Sequence, residues 1–469
     1  MNARRYSAVI ALFVFGLAEA QASPFDVHGP TSRSAAMGGA QVASPEGAGA
    51  TYDNVAGLAG VDPELRVGAF ATLAEAPILL MPRPDGYDVP SLSGSDAVPS
   101  DQTRRPRQDG ESPGPLYGVV AGVVTDFGGT NTRGGVLVML PTNGLLQMRT
   151  HFADERERHF SNQLHHEVIG DRLHRPVIEL GVARHLTENL AFGVGGTYMP
   201  AAVATTEAFV WDPSDQSQVD LNADVATGNS WGLLAGLVAD MPLGLRVGLA
   251  FRGAVAFDVE GGNEVQVRGV PGTEEQTLRW RPLSTPSSLR GGVARSFGDF
   301  EVTLDGRWTF WSSYLDTQAE PAGFSDTIEG RLGLEWLSSE DTRLRAGAGF
   351  IPSPVPEQSG RTNYVDNHRI LGTLGGGHQF RAAGREFEAS WFVQVQHLLR
   401  RETHKEERDT YPVCGPGERG LCDEVPDDTL DPRTGQPYPQ AQGLQTGNPG
   451  FPGFVSGGWI GALGMEVRY

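Results

Sequence analysis

From Glu64 to the C-terminus the chain repeatedly alternates apolar and polar residues. A period of two is the spacing at which successive side chains of a strand point to opposite faces. Over Glu301–Phe310, Val302, Leu304, Gly306, Trp308 and Phe310 share one face, and Glu301, Thr303, Asp305, Arg307 and Thr309 share the other. Leu245–Arg252, Ile328–Trp336 and Phe387–Gln396 repeat the pattern. A soluble sandwich alternates as well, with its apolar face inward, so the period alone does not separate the two. Segment length does: runs of about 9–11 residues suit a strand that crosses a bilayer at a tilt. Such segments centre on Val67, Val119, Val138, Leu180, Val194, Leu237, Leu249, Gly292, Leu304, Leu332, Ala346, Leu374, Val393 and Leu463. The pattern therefore predicts an all-β fold, a transmembrane antiparallel β-barrel of about 14 strands. An even count lets the first and last strands pair antiparallel, and closure leaves no sheet edge in lipid.

The connections alternate in length. Asp240–Leu245 and Ser338–Thr342 read as tight turns, whereas 82–115, 154–175, 212–229, 261–286 and 400–452 read as long, polar, Pro-rich loops. Short turns on one side and long loops on the other is the outer-membrane arrangement. In the last segment Trp459, Leu463, Met465, Val467 and Tyr469 share a face, and the chain ends on the aromatic Tyr469. That ending looks like the signal read by the barrel-assembly machinery.

The N-terminus breaks the pattern twice. Arg4 and Arg5 precede an apolar run, Tyr6–Leu17, that is too short to span a bilayer as a helix. Ala20-Gln21-Ala22 fits a small-x-small cleavage site, with the cut before Ser23. Ser23–Gly60 is rich in Gly, Ala and Ser and holds no long alternating run. A barrel between eight strands, which side chains fill, and sixteen, which leave a channel, needs something in its lumen. The expected division is 1–22 signal peptide, 23–60 hatch folded inside the lumen as a plug, and 61–469 barrel. Small residues such as Gly38, Gly39 and Gly57 allow such a segment to thread tightly.

Composition narrows the function. The 62 Gly residues among 469 exceed the usual share of about 7%. The 37 Lys+Arg against 57 Asp+Glu, a net charge of −20, speak against nucleic acid and against anionic lipid faces as partners. The acidity serves solubility, or acidic loops that hold divalent cations beside lipopolysaccharide. Cys414 and Cys422 lie in a Pro/Gly/Asp-rich loop, where an oxidising compartment favours a disulfide over half a metal site. His151, His159, His165, His166 and His174 fall in one polar stretch and read as surface residues, with no metal and no cofactor implied. Ser390 and His397 are the nearest pair for an outer-membrane lipase, without a clear orienting partner.

Several stretches carry a family resemblance. SWGLLAGLVADMPLGLRVGLAFRGAVAFDVEGG at 230–262 has a Trp-Gly strand, a tight turn and an aromatic-Arg pair, Phe251-Arg252. Ser353-Pro354-Val355-Pro356 is followed by Asp366 and Arg369, and Trp311-Ser312-Ser313-Tyr314 ends a strand. Asn54-Val55-Ala56-Gly57 stands where an Asn-Pro-Ala-Gly motif belongs. Together these resemble the FadL/TodX family of outer-membrane transporters for hydrophobic compounds. The resemblance implies a monomeric fourteen-stranded barrel with an N-terminal hatch. It implies passage of long-chain fatty acids or hydrocarbons across the outer membrane of a Gram-negative cell, without covalent chemistry. It also implies an inward kink in the third strand that opens the wall to the bilayer. Pro141, Thr142, Asn143 and Gly144 are the candidates for that lateral gate, the alternative being a turn that splits the segment. By register, Leu234, Val238, Phe392 and Ile460 face the lumen, as do Arg246, Arg252, Arg307, Arg331 and Arg345. An inward Arg such as Arg252 either holds a ligand carboxylate or pairs with inward Glu301, Asp305, Glu329 and Glu335. A porin, or a surface-binding barrel acting through 400–452, are the competing functions.

Overall fold

The computed structural model describes residues 24–81, 112–127, 131–143, 164–166, 168–169, 175–211, 218–267, 273–314, 321–359, 363–405, 424–425, 444–445, 450 and 452–469. Its main body is one antiparallel sheet. In chain order the strands are β1 Glu64–Glu75, β2 Leu116–Asp126, β3 Thr132–Pro141, β4 Val177–Thr187 and β5 Leu190–Met199. Then come β6 Ser230–Met241, β7 Leu245–Arg252, β8 Ser288–Phe297, β9 Phe300–Thr309 and β10 Thr327–Ser339. The last are β11 Thr342–Ile351, β12 Arg369–Ala382, β13 Arg385–His404 and β14 Gly453–Arg468. Each pairs with its sequence neighbour, and β1 pairs with β14 from Arg66↔Arg468 to Glu75↔Trp459, which closes a fourteen-stranded barrel. The short run Ile78–Leu80 continues along β14 beyond β1. All fourteen predicted segment centres lie within these strands.

The apolar faces point outward. Ile328 is 72% exposed, Met465 69% and Leu374 63%, whereas inward Thr303 and Gln396 are at 0%. This is the reverse of a soluble sandwich and matches a wall solvated by lipid. Outward aromatics gather near the strand ends: Tyr198 stacks on Trp231 at the long-loop end, and Phe300–Trp336 and Phe387–Tyr469 pack at the short-turn end. Two such girdles mark the two interfaces of an outer-membrane barrel. The tight turns carry left-handed residues, Gly298 after β8 and Ala383 and Gly384 after β12 in two-residue hairpins, and Leu243 and Gly244 in the three-residue turn after β6.

The long-loop end is more structured than its composition predicts. Ala202–Trp211, Gln218–Thr227, Val255–Val267 and Thr273–Thr285 form a separate four-stranded antiparallel sheet, so 212–229 and 261–286 are not plain loops. Backbone pairing between two polar excursions satisfies their N–H and C=O groups, and it leaves no apolar alternation to be read. The expected loop 400–452 begins later, because β13 runs on to His404, and Glu424–Val425 pairs with Leu444–Gln445 within it. Cys414 and Cys422 lie outside the described residues, as do residues 1–23, Gly144, most of 82–115, and His151, His159 and His174. His165–His166 pairs in parallel with Tyr364–Val365 across the barrel mouth. His166 is buried with Nε2 2.8 Å from the Ala76 carbonyl, not a surface residue.

The N-terminal segment is a chain of short turns: helices α1 Pro24–His28, α2 Ser32–Ala36 and α3 Ala50–Asp53, with 3-10 turns at Gly47–Gly49 and Val55–Gly60. Nearly all of its residues from Val27 to Ala59 are buried. Thr31 caps α2 by accepting from Ser34 N at 3.1 Å, and Asn54 caps the last turn through Ala56 N.

Candidate functional site

The segment sits inside the barrel because the inner wall is cut to receive it. Gly193, Gly236 and Gly248 are inward positions on β5, β6 and β7; a Cβ on Gly193 would stand 2.6 Å from the Val55 carbonyl carbon and 2.7 Å from Ala56 N. Hydrogen bonds then reach the wall on many sides. Asn54 Nδ2 donates to the Leu237 carbonyl at 3.0 Å, Val42 N to Asp305 at 2.7 Å, and Ala48 N to Glu64 at 2.8 Å. From the wall, Arg331 donates to the Gly38 carbonyl at 2.9 Å, Thr373 to the Ala36 carbonyl at 2.6 Å, and Gln396 to the Val27 carbonyl at 2.7 Å.

Toward the short-turn end, ion pairs reinforce this seat. Arg33 of α2 meets Glu301 at 2.8 Å, Glu46 at 3.0 Å and Glu335 at 3.1 Å, and donates to the Ser44 carbonyl at 2.7 Å and to Gln41. Arg345 shares Glu335 at 2.5 Å and Glu388 at 3.3 Å, Arg66 meets Glu466 at 2.6 Å, and Arg468 pairs with Glu46. These groups are largely buried, where each charge requires a partner.

Toward the long-loop end the inner wall is two-sided. Phe70, Leu116, Val120, Leu137, Met139, Val177, Met199 and Leu234 are buried inward residues of β1 to β6. The opposite wall, β7 to β12, carries buried Arg252, Arg290, Glu329, Arg331 and Arg369, with Arg307 beside them. Between plug and loops lies a space of about 50 Å³ lined by Asp26, Arg252, Arg307, Glu329, Arg331 and Arg369 among others. That is room for a few waters or one carboxylate. Trp311 also lines it and belongs to an aromatic cluster with Tyr314, Phe324 and Tyr364, in which Tyr314 and Phe324 stack at 4.8 Å.

The arginines are unevenly matched. Arg252 meets Glu179 at 2.9 Å, and Arg331 meets Glu329 at 3.0 Å. Arg307 and Arg290 turn instead to the plug's own Asp26, at 2.9 and 3.4 Å. Tyr52 of α3 lies under Arg252 and Arg290, 4.0 and 4.9 Å from its ring centre, and donates its hydroxyl to Asp26 at 2.5 Å. Burial alone would raise the Asp26 carboxyl, but Arg307 and then Arg290 outweigh it and hold it well below the usual range. Burial pushes the His28 imidazole down to about 4. The same cause pushes the Asp53 carboxyl up to about 6, against the pull of Arg290 and Ser34.

The predicted residues divide as follows. Leu234, Val238, Phe392 and Ile460 are buried and inward; Phe392 packs against His28 of the plug. Arg252, Arg307, Arg331 and Arg345 are inward as read, but Arg246 stands at the short-turn rim, 46% exposed and paired with Asp240. It falls below the plug, so parity was right and depth was not. Gly38 and Gly39 adopt φ of 67° and 76°, and Ala56 and Gly57 belong to the turn seated on β5 and β6. Pro141 does not interrupt β3. It ends it, paired with Gly118, after an unshifted ladder with β4 that stops at Met139↔Val177. Thr142 N still donates to the Tyr117 carbonyl, and the Asn143 side chain bridges Tyr117 N and the Pro115 carbonyl, so missing ladder donors are replaced there. Ser390 faces inward onto Glu388 at 2.9 Å, while His397 is an outward residue of the same strand, so the two do not meet. Sequence reading missed Asp26, Tyr52, Glu179 and Arg290, and marked Arg369 only as part of a motif, with no place in the lumen. Strand parity marks Glu179 and Arg290 as inward, but nothing local singles out Asp26 or Tyr52.

A FadL homologue of Pseudomonas aeruginosa superposes with a TM-score of 0.60 at 13% identity, over 94% of this chain and 98% of that one. The fold is that of the FadL and TodX channels. The toluene transporter TodX of Pseudomonas putida gives a TM-score of 0.53 at 14% identity, over 95% of this chain and 99% of that one. No family model and no curated protein matches the sequence.

Proposed function

We propose that this chain is an outer-membrane channel that takes up hydrophobic molecules bearing an anionic head, long-chain fatty acids before neutral hydrocarbons. One observation carries the reading: toward the long-loop end, an apolar inner wall on β1 to β6, packed against the plug, stands opposite a wall of arginines on β7 to β12. A fatty acid has the same two sides. Each methylene laid on the apolar wall is worth about 0.8 kcal/mol, and a carboxylate beside Arg290 and Arg307 gains charge-assisted hydrogen bonds. The fold shared with a FadL homologue and a toluene transporter supports a channel for hydrophobic solutes over a lipase. The buried plug supports it over an open porin.

In this reading residues 1–22 direct export and are removed, residues 23–60 form the hatch, and a disulfide between Cys414 and Cys422 ties the loop beyond β13. The barrel inserts as a monomer through the assembly machinery. Ligand leaves sideways at the outer lip of β3, where Leu140 and Pro141 extend past the last pair with β4. Leu137 and Met139 bring the apolar wall up to that lip.

The test is uptake by cells carrying the full chain. Arg290→Met with Arg307→Met should cut uptake of a C16 carboxylate at least tenfold and leave toluene uptake within about twofold. Equal losses for both solutes would dismiss the carboxylate preference. For the exit, Pro141→Val with Gly144→Val should slow uptake of both, and undiminished uptake would remove the lateral route.

A further inference from the structure

The outer chamber contains a carboxylate that belongs to the protein itself. Asp26 reaches up from α1, sits between Arg307 and Arg290, and accepts the Tyr52 hydroxyl. We propose that Asp26 is a built-in stand-in for the ligand's anionic head, displaced when a carboxylate-bearing ligand takes its place at Arg290 and Arg307. This inference rests on the function proposed above and adds a competitor within the chain.

Three features support it. First, an aspartate side chain and a fatty-acid head are the same functional group, so a site that satisfies one satisfies the other. Among the ion pairs of the described residues, losing Asp26 leaves Arg290 with no carboxylate in contact, only the more distant pull on buried Asp53, and Arg307 with Glu329 alone, at 3.8 Å. That vacancy favours an anion. Second, Asp26 stands on a short arm. Gly29 has a φ of 94°, Pro30 follows, and from Thr31 onward the plug is capped, buried and ion-paired. The arm is held to the wall more lightly than the rest of the plug: apart from Asp26 itself, its ties are the Val27 carbonyl, which accepts from Gln396, and the packing of His28. Third, the arm also occupies apolar space. His28 lies 4.3 Å from the ring of Phe70 and 6.0 Å from that of Phe392, and its Nε2 has no hydrogen-bond partner among the described residues. Displacing the arm thus vacates a charged site for a head and an apolar site for a tail at once. A neutral hydrocarbon has no means of competing with Asp26 for the arginines.

The experiment uses the full-length protein in detergent, with a fluorescent C16 carboxylate and the matching C16 alcohol as probes. Asp26→Asn removes the competitor and keeps the shape. If Asp26 fills the site about nine-tenths of the time, the carboxylate should bind the variant about tenfold tighter than wild type, with Asp26→Glu close to wild type. The alcohol, which gains only the apolar space that the loosened arm vacates, should gain clearly less than the carboxylate in Asp26→Asn. Amide exchange should follow: in wild type the carboxylate speeds exchange over 24–30 and leaves 32–60 unchanged, and in Asp26→Asn the arm exchanges fast without ligand. A wild type that prefers the carboxylate, with Asp26→Asn binding it no tighter, overturns the stand-in and leaves the channel reading intact. No preference for carboxylate over alcohol in any variant overturns both.

Discussion

Replacing Arg33 by Met should loosen the plug. Arg33 joins one plug carboxylate, Glu46, to two barrel carboxylates, Glu301 and Glu335. After the change Glu335 keeps Arg345 and Glu46 keeps Arg468, whereas Glu301 has no other ion pair among the described residues. The Ser44 carbonyl and Gln41 also lose their donor. Removing one partner of a buried pair typically costs about 3–5 kcal/mol. Here Glu301 and Glu46 keep 24% and 26% exposure, and water compensates part of the loss, so about 2–3 kcal/mol is the working figure. That corresponds to a rise of about 30- to 150-fold in the population with the plug's inner half displaced. Planar bilayers read this directly. Wild-type protein should be silent, and Arg33→Met should show intermittent openings, with Arg33→Lys between them. A variant as silent as wild type, with unchanged amide exchange over residues 31–60, would show that the Arg33 hub does not hold the plug.

Gly193→Val should press the Val55–Gly60 turn off β5, costing about 1–3 kcal/mol by overpacking, seen as faster amide exchange over 50–60 with the barrel strands unaffected. The His28 imidazole, held down at about 4 by burial, ties plug stability to pH. Because the folded value lies below the unfolded 6.5, the contribution is complete above that value and is lost as pH falls from 6.5 toward 4. Asp53, pushed up to about 6, acts in the opposite sense: the folded chain holds its proton more tightly, so acid favours the plug. Amide exchange of the plug at pH 7 and pH 5 in wild type and His28→Phe separates the two, and the variant should lose the acid sensitivity. Tyr52→Phe keeps the ring beneath Arg252 and Arg290 and removes the donor to Asp26, so carboxylate affinity should rise less than in Asp26→Asn, by about two- to threefold in the same fluorescence titration.

How much of this was legible in the sequence follows from the range of each interaction. Strand number, strand centres and the outward or inward sense of each side chain came from alternation. Alternation is local, and lipid enforces it on every strand, which is why Val302 and Leu304 read correctly as wall and Asp305 and Arg307 as lumen. The four-stranded sheet of 202–227 and 255–285 was not readable, since its stability lies in pairing between distant segments. Depth was not readable either: Arg246 and Arg252 have the same parity, yet one meets solvent at the rim and the other meets Tyr52. Above all, the order of partners inside the barrel belongs to the tertiary structure. Asp26 and Arg307 are held together only because a closed wall brings residues 281 positions apart into one small space, and the low polarity there makes every unpaired charge choose a partner.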